Sequence, residues 1–243
     1  MKRLRDLPMI NASDTLPDDK RAQSPWTDWR VWMFPGFLML LIAVLGLGGE
    51  PWISALQYDR LAIEGGEWHR LLTGNLMHLP GNTLEWRGWK FHGPWHLFLN
   101  ELGLLVLVLL CPERLSLLVW LRRTLFLFLG MSLGLYFFVP DMAWYVGLSG
   151  ALHGFFLLGL VPQMMKKDIV ALGCIVYLLG KLFYELYAGA AVSDERAIGG
   201  TVALESHFWG SVSALIYGVV FQSFWKPEQF AFWRAPTKKA GTL

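Results

Sequence analysis

Apolar residues fill six segments of the chain, and mostly polar connections separate them. The segments cover approximately residues 31–47, 95–111, 123–138, 148–162, 169–187 and 206–225. The hydrocarbon core of a bilayer is about 30 Å thick, so a helix needs roughly 20 mostly apolar residues to cross it, and fewer where it is sheltered inside a bundle. The pattern therefore predicts an all-α membrane protein with six transmembrane helices, forming one domain over residues 31–225.

The first connection, residues 48–94, is too long for a turn and too rich in tryptophan for a flexible linker. Tryptophan favours the headgroup layer because its ring is largely apolar while its N–H is polar. We therefore expect a long interfacial first loop. Within it, the sequence predicts a short amphipathic helix over residues 52–61 and turns at residues 80–82 and 92–94.

The composition agrees with a membrane location. Hydrophobic residues make up 54% of the chain, charged residues make up 16%, and the mean hydropathy is +0.40. These values lie outside the usual range of soluble domains, so we expect the lipid bilayer as the surroundings. The net charge of +2 gives no indication of a nucleic-acid partner, and we expect none. Two cysteines form neither a metal-ligand cluster nor a disulfide framework.

Basic residues predict the orientation in the membrane. Lysine and arginine are concentrated in two tails, residues 1–30 and 226–243. Because basic segments stay on the cytoplasmic side, both tails are expected there, in agreement with an even number of helices. Basic residues of the short loops fall on the same predicted side: Arg114, Arg122, Lys166 and Lys167. The connection 139–145 has no lysine or arginine, as expected for the opposite side.

A serine stands at the start of the fourth apolar segment. Ser149 is preceded by Gly147 and followed by Gly150, so its hydroxyl is expected at a helix N-terminus near the outer face. The first turn of a helix has N–H groups without intrahelical acceptors, which suit an oxyanion that develops beside a nucleophile. The alternative is a capping serine in a glycine-rich packing motif, and for an isolated serine this alternative is the better one.

The sixth segment supplies a candidate base. His207 and Gly210 lie on one helical stripe of small residues, and Gly150 and Gly154 form a matching stripe on the fourth segment. Packing of the two stripes brings His207 near Ser149 at the same depth. A histidine beside a serine can accept the hydroxyl proton and return it to a leaving amine.

A second polar pair lies on the second segment. His96 and Asn100 are spaced i and i+4, and therefore share one face near the outer end of the helix. Both side chains can donate hydrogen bonds to an oxyanion. The alternative, a polar pair that ties helices together or lines a wet crevice, is equally compatible with this spacing.

These motifs resemble the rhomboid family of intramembrane serine proteases. Gly-Leu-Ser-Gly at 147–150 is similar to the nucleophile motif, His207 to the base, and His96 with Asn100 to the H-x-x-x-N pair that assists the oxyanion. The stretch 68–73 resembles the tryptophan-arginine signature of the first outer loop, and His78 resembles its structural histidine. The resemblance implies a six-helix rhomboid-like bundle, an outward-opening cavity, a Ser-His dyad without an acidic member, and cleavage of transmembrane anchors. It implies no metal and no cofactor.

Two features depart from many rhomboids. The connection between His78 and His96 carries an insertion, and His153 stands where many members have a tyrosine packed against the catalytic histidine. Gly-x-Ser-Gly-x-x-His-Gly is similar to the bacterial rhombosortase subgroup. That similarity implies an inner-membrane enzyme, with its active site towards the extracytoplasmic face, acting on single-span substrates with C-terminal Gly-Gly sorting segments.

Alternatives remain for several residues. His153 lies one turn from Ser149 and is a rival base, although His207 is preferred because a separate helix can aim its imidazole at the serine. Residues expected to support the site by packing are Gly147, Gly150, His153, Gly154 and Gly210. Glu205 and Asp141 can orient a histidine, but solvated loop carboxylates are commoner, and Lys181 with Glu185 is expected either as an internal pair or as a pair reaching outward.

Two other classes of function are alternatives to a protease. One is a catalytically silent rhomboid-like protein that binds transmembrane clients, which the loss of Ser149 or His207 would favour. The other is a small transporter with a polar site at the midplane. It is disfavoured because the serine, histidine and asparagine candidates lie at the outer ends of their helices.

Overall fold

The structure is a computed structural model that describes residues 24–192 and 195–226. Most of the predicted cytoplasmic tails, 1–30 and 226–243, therefore lies outside the described residues. The described chain is mostly helical, as predicted, with little sheet. The helices are α1 (Trp29–Gly46), α2 (Gly49–Leu56), α3 (Arg60–Glu64), α4 (Arg70–Thr73), α5 (Trp95–Leu110), α6 (Leu117–Phe138), α7 (Ser149–Met165), α8 (Ile169–Ala188), α9 (Glu195–Ile198) and α10 (Leu204–Val220). The strands are β1 (Tyr58–Asp59), β2 (Asn82–Trp86), β3 (Trp89–Gly93) and β4 (Trp144–Tyr145).

Three of the described helices, α1, α6 and α8, are long and apolar enough to cross a membrane. Helix α5 is apolar but shorter, and α7 and α10 have 17 residues each. Each of the six predicted segments corresponds to one helix, with differences at the ends. Helix α6 begins at Leu117 rather than near residue 123, because the Ser116 hydroxyl accepts the amide of Val119 and caps an earlier start. Helix α10 ends at Val220, before the predicted residue 225.

The first loop contains structure that the hydrophobic pattern did not predict. The expected helix over 52–61 is divided into α2 and α3, which are separated by β1. The insertion before His96 forms a β-hairpin in which β2 pairs antiparallel with β3. Its polar face pairs Glu85 with Lys90 and Thr83 with His92. The turn predicted at 92–94 is wrong at His92 and Gly93, which are strand residues of β3, and Asn82 of the turn predicted at 80–82 begins β2. Pairing between the two strands satisfies backbone groups at these positions, and a local turn signal does not reveal such pairing.

Arg60 connects the first loop to the end of α6. Its guanidinium donates to the carbonyl oxygens of Leu135, Tyr136, Val139 and Met142, at distances between 2.7 and 3.2 Å. These carbonyls belong to the last turn of α6 and the residues after it, where carbonyl oxygens have no intrahelical N–H partner. The loop is thereby fixed to the bundle, and β1 pairs with β4 directly before α7.

Helices α7 and α10 pack closely through glycines, as the small-residue stripes predict. A methyl group at Gly210 would overlap the backbone of Gly150, and one at Gly154 would lie 2.8 Å from the carbonyl oxygen of Gly210. Without side chains at these positions the two backbones meet directly. Helix α7 also packs against α5, α6 and α8, so it lies in the centre of the bundle.

Candidate active site

Ser149 is the first residue of α7. Leu148 occupies the N-cap position, and no side chain makes a capping hydrogen bond there. The Ser149 hydroxyl is instead 3.1 Å from Nε2 of His207. Its observed contact is therefore with an imidazole and not with the helix backbone, and it lies beside the N–H groups of the first helical turn.

His207 is buried in the first turns of α10, with 3% of its surface exposed. Its Nδ1 is 2.9 Å from the Glu185 carboxylate. A carboxylate only accepts hydrogen bonds, so the proton of the neutral ring lies on Nδ1 and the lone pair on Nε2. The lone pair faces the Ser149 hydroxyl, which is the arrangement required of a general base.

His153 makes contacts that prevent it from accepting the Ser149 proton in this arrangement. Its Nδ1 is 2.7 Å from the carbonyl oxygen of Ser149, and its Nε2 is 3.2 Å from Nζ of Lys181. The carbonyl can only accept and the ammonium can only donate, so both ring nitrogens are used. The His153 ring stacks on His207, with centroids 4.1 Å apart. Packing against His207 is therefore the observed environment of His153.

Lys181 and Glu185 form the internal pair that was one of the two expectations for these residues. The ammonium of Lys181 is 2.7 and 2.8 Å from the two carboxylate oxygens. Only 1% of the Glu185 side chain is exposed. A buried carboxylate is costly unless it is paired and hydrogen-bonded, and here the ammonium and the imidazole both bond to it.

A group of possible metal ligands coincides with this cluster. Ligand atoms of His153, Glu185 and His207 lie within 4.8 Å of one another. However, Nζ of Lys181 contacts all three groups, including Nδ1 of His207 at 3.3 Å. The ammonium donates to Nε2 of His153 and to both carboxylate oxygens, and Nδ1 of His207 carries its own proton, so lysine and not a metal ion satisfies the cluster as arranged.

His96 and Asn100 line the same side of the site. The amide of Leu79 donates to Nδ1 of His96 at 3.1 Å, which leaves the ring proton on Nε2. The Nε2 edge lies against Gly147, where an added Cβ would be 3.0 Å away and where φ is +132°. Asn100 donates one N–H to the His96 carbonyl at 2.8 Å and has a second N–H on the same nitrogen.

A cavity of about 720 Å³ joins these residues. Its lining includes six polar residues of the site: Ser149, His207, His153, Lys181, His96 and Asn100. Residues from β4, α5, α7, α8 and α10 contribute to the wall. Polar residues of four helices that are distant along the chain are therefore assembled around one space large enough for a peptide segment.

Residues of the loop signature have structural contacts. Arg70 is buried and donates to the carbonyls of Ser54 and Gln57, at 2.9 and 3.0 Å, whereas Trp68 is exposed. His78 is buried beside His96, with ring centroids 5.1 Å apart. Burial, together with the neighbouring His96, lowers the pKa of His78 to about 3. His78 is thus a neutral packing residue of the loop, in agreement with its expected structural role.

Glu185 is the residue of the site whose contact with His207 was not predicted from sequence. It lies 22 positions before His207 and on another helix, so spacing alone did not connect them. A signal existed nonetheless: Lys181 and Glu185 are charged residues inside an otherwise apolar segment. Such residues generally face a partner or a cavity instead of lipid.

Comparison of the chain with models of protein families finds no match, and comparison with curated proteins finds none either. A function is therefore inferred from the residues of the site and their geometry.

Proposed function

We propose that this protein is a rhomboid-type intramembrane serine endopeptidase in which Ser149 is the nucleophile and His207 its base. The observation that carries the proposal is the 3.1 Å contact between the Ser149 hydroxyl and Nε2 of His207. This contact lies at the wall of a cavity and at a helix N-terminus. A buried serine-histidine pair that only stabilised the fold would not need access to a cavity.

The reaction follows from the tautomer of His207. The Ser149 oxygen attacks the peptide carbonyl carbon while its proton passes to Nε2 of His207, and the carbonyl becomes an oxyanion. The C–N bond then breaks, and His207 gives the proton to the leaving amine. Water, activated by the same nitrogen, hydrolyses the acyl-serine, which releases the acid and returns the proton to Ser149.

Stabilisation of the oxyanion falls to groups that line the same cavity as Ser149. His96 carries its proton on the nitrogen that faces Gly147, and Asn100 retains an amide N–H. The backbone N–H groups of the first turn of α7 add further donors. His96 and Asn100 are also the oxyanion pair that the resemblance to rhomboids implies.

A six-helix arrangement in the membrane completes the proposal. At about 1.5 Å per residue, 16 or 17 residues span roughly 25 Å, and α5, α7 and α10 therefore cross where neighbouring helices shelter them. Arg114 pairs with Asp28 at 3.0 Å, which brings the start of α1 and the α5–α6 connection to one end. We assign this end to the cytoplasm with both tails, and the Ser149 end to the extracytoplasmic face of a bacterial inner membrane.

The proposed substrates are single-span membrane proteins. A site that opens from within a helical bundle reaches peptide bonds in or near a membrane anchor. The resemblance of the Ser149–His153 region to rhombosortases narrows the class to surface proteins with C-terminal Gly-Gly sorting segments.

Covalent labelling tests the nucleophile. A fluorescent fluorophosphonate should label the full-length protein in detergent micelles, because the Ser149 oxygen displaces fluoride from phosphorus. Ser149→Ala should abolish the label. Ser213→Ala is the matched control, because the Ser213 hydroxyl bonds the Trp209 carbonyl at 2.7 Å and lies outside the site. Labelling that persists in Ser149→Ala, or its absence from the folded wild type, would contradict the proposal.

A further inference from the structure

The two oxygens of Glu185 have different partners. Oε2 is 2.9 Å from Nδ1 of His207 and 2.8 Å from the Lys181 ammonium. Oε1 accepts from the same ammonium at 2.7 Å and from the amide of Val192 at 3.3 Å. Each partner is a donor, so the carboxylate is fixed in one orientation with one oxygen reserved for His207.

This orientation determines which nitrogen of His207 can act as a base. With the ring proton held on Nδ1 by Glu185, Nε2 presents its lone pair to Ser149. When Nε2 takes the serine proton, the imidazolium faces a carboxylate at 2.9 Å. The Nδ1 proton stays on His207 throughout, and the transferred proton leaves from Nε2 to the amine.

On the basis of the proposed function, we infer that Glu185 is the positioning residue of a Ser149–His207–Glu185 triad and that Lys181 fixes its orientation. The arrangement departs from the two-residue dyad that the resemblance implies. Helix α8 therefore takes part in the chemistry through two residues spaced i and i+4, in addition to forming a wall of the cavity.

Lys181 gives the arrangement a feature that a simple triad lacks. Its ammonium bonds the carboxylate and His153, and His153 in turn stacks on His207 and bonds the Ser149 carbonyl. The Lys181 ammonium thus fixes two groups that contact the His207 ring: the Glu185 carboxylate at its edge and the His153 imidazole on its face. Lys181 is a positioning residue because it touches neither the serine hydroxyl nor a reacting atom.

Glu185→Gln tests the triad through the tautomer of His207. Lys181 donates to both carboxylate oxygens, whereas Val192 donates only to Oε1, so the Val192 amide favours the glutamine oxygen at the Oε1 position and the NH₂ group facing Nδ1. His207 must then accept at Nδ1 and carry its proton on Nε2, which leaves no lone pair for Ser149. The second-order rate constant for fluorophosphonate labelling should fall about 10²- to 10⁴-fold, the range seen when a triad histidine is held in the wrong tautomer.

The tautomer of His207 separates this mechanism from simple damage to the fold. In the full-length protein enriched with ¹⁵N-histidine, the nitrogen resonances of His207 should show a protonated Nδ1 and an unprotonated Nε2, because Nδ1 donates to Glu185. In Glu185→Gln the proton should lie on Nε2 instead. A purely structural role would slow labelling but leave the proton on Nδ1.

Glu101→Gln is the matched control, because Glu101 is a half-buried glutamate on α5 and does not line the cavity. Its labelling rate should stay within about threefold of the wild type. A wild-type rate in folded Glu185→Gln, or a His207 proton that stays on Nδ1 in this variant, would overturn the triad while leaving Ser149 labelling intact. If Glu185→Gln does not fold, the wild-type spectrum decides, because an unprotonated Nδ1 on His207 overturns the triad. Failure of the wild type itself to label would instead reject the proposed function.

Discussion

Three histidines of this protein differ because of the atoms around them. His207 lies between a serine hydroxyl and a carboxylate, which gives it one proton and one free lone pair in useful positions. His153 stacks on it but uses both nitrogens elsewhere. His78 lies in the first loop, where burial lowers its pKa to about 3. Residue type alone would have assigned the same chemistry to all three.

Protonation of His78 should limit stability in acid. The pKa of His78 is about 3 in the folded protein and about 6.5 when unfolded. Between these values the unfolded chain binds a proton at this histidine and the folded chain does not. The contribution of neutral His78 to the free energy of unfolding is thus complete above pH 6.5 and is lost as the pH falls towards 3, by up to about 1.4 kcal/mol per pH unit.

Thermal unfolding followed by tryptophan fluorescence between pH 7 and 4.5 measures this loss. His78→Phe should reduce the decrease in melting temperature on acidification, whereas His69→Gln, at an exposed position, should retain the wild-type decrease. Equal pH dependence in wild type and His78→Phe would show that another group controls acid stability.

At the scale of elements, the contact between α7 and α10 decides the geometry of the site. Ser149 and His207 belong to different helices, and their 3.1 Å separation depends on how closely those helices approach. Gly150 and Gly210 set that approach because their backbones touch. The stripe of small residues could be recognised in the sequence, since it depends only on helical periodicity.

Gly210→Ala should separate the two helices. The added methyl would overlap the backbone of Gly150, so the protein should lose about 1–3 kcal/mol of stability and most of its fluorophosphonate labelling. Gly173→Ala is the control, because nothing lies within 4 Å of its added methyl and alanine favours a helix over glycine. Both variants are compared by melting temperature and labelling rate. Retention of both properties in Gly210→Ala would refute the close-packing argument.

For the whole molecule, the outward faces of the long helices are apolar. Phe37 and Leu40 on α1, and Val176 and Phe183 on α8, are all exposed in the folded chain. Exposed apolar side chains along helices long enough to span a bilayer are typical of lipid-facing surfaces. The charged groups of the site are buried, and Arg114, Lys166 and Lys167 follow the ends of α5 and α7 that lie away from Ser149.

Reporter fusions test the orientation. Alkaline phosphatase, which is active only outside the cytoplasm, should be active when fused after residue 142 and inactive when fused after residue 167. Green fluorescent protein, which fluoresces in the cytoplasm, should give the reverse result. The same activity at both positions would exclude a membrane crossing by α7 and, with it, the six-helix arrangement.

The sequence by itself determined the helices and the candidate pair, because both depend on local signals. Apolar length predicts spanning segments, and the glycine stripes predict which helices approach closely and bring Ser149 near His207. Tertiary structure decided the rest. Glu185 reaches His207 only because α8 packs against the helices of the site. His153 is excluded as the base only by contacts that its spacing from Ser149 does not reveal. The hairpin forms by pairing between two strands. Each of these depends on atoms that are distant along the chain and meet only after folding.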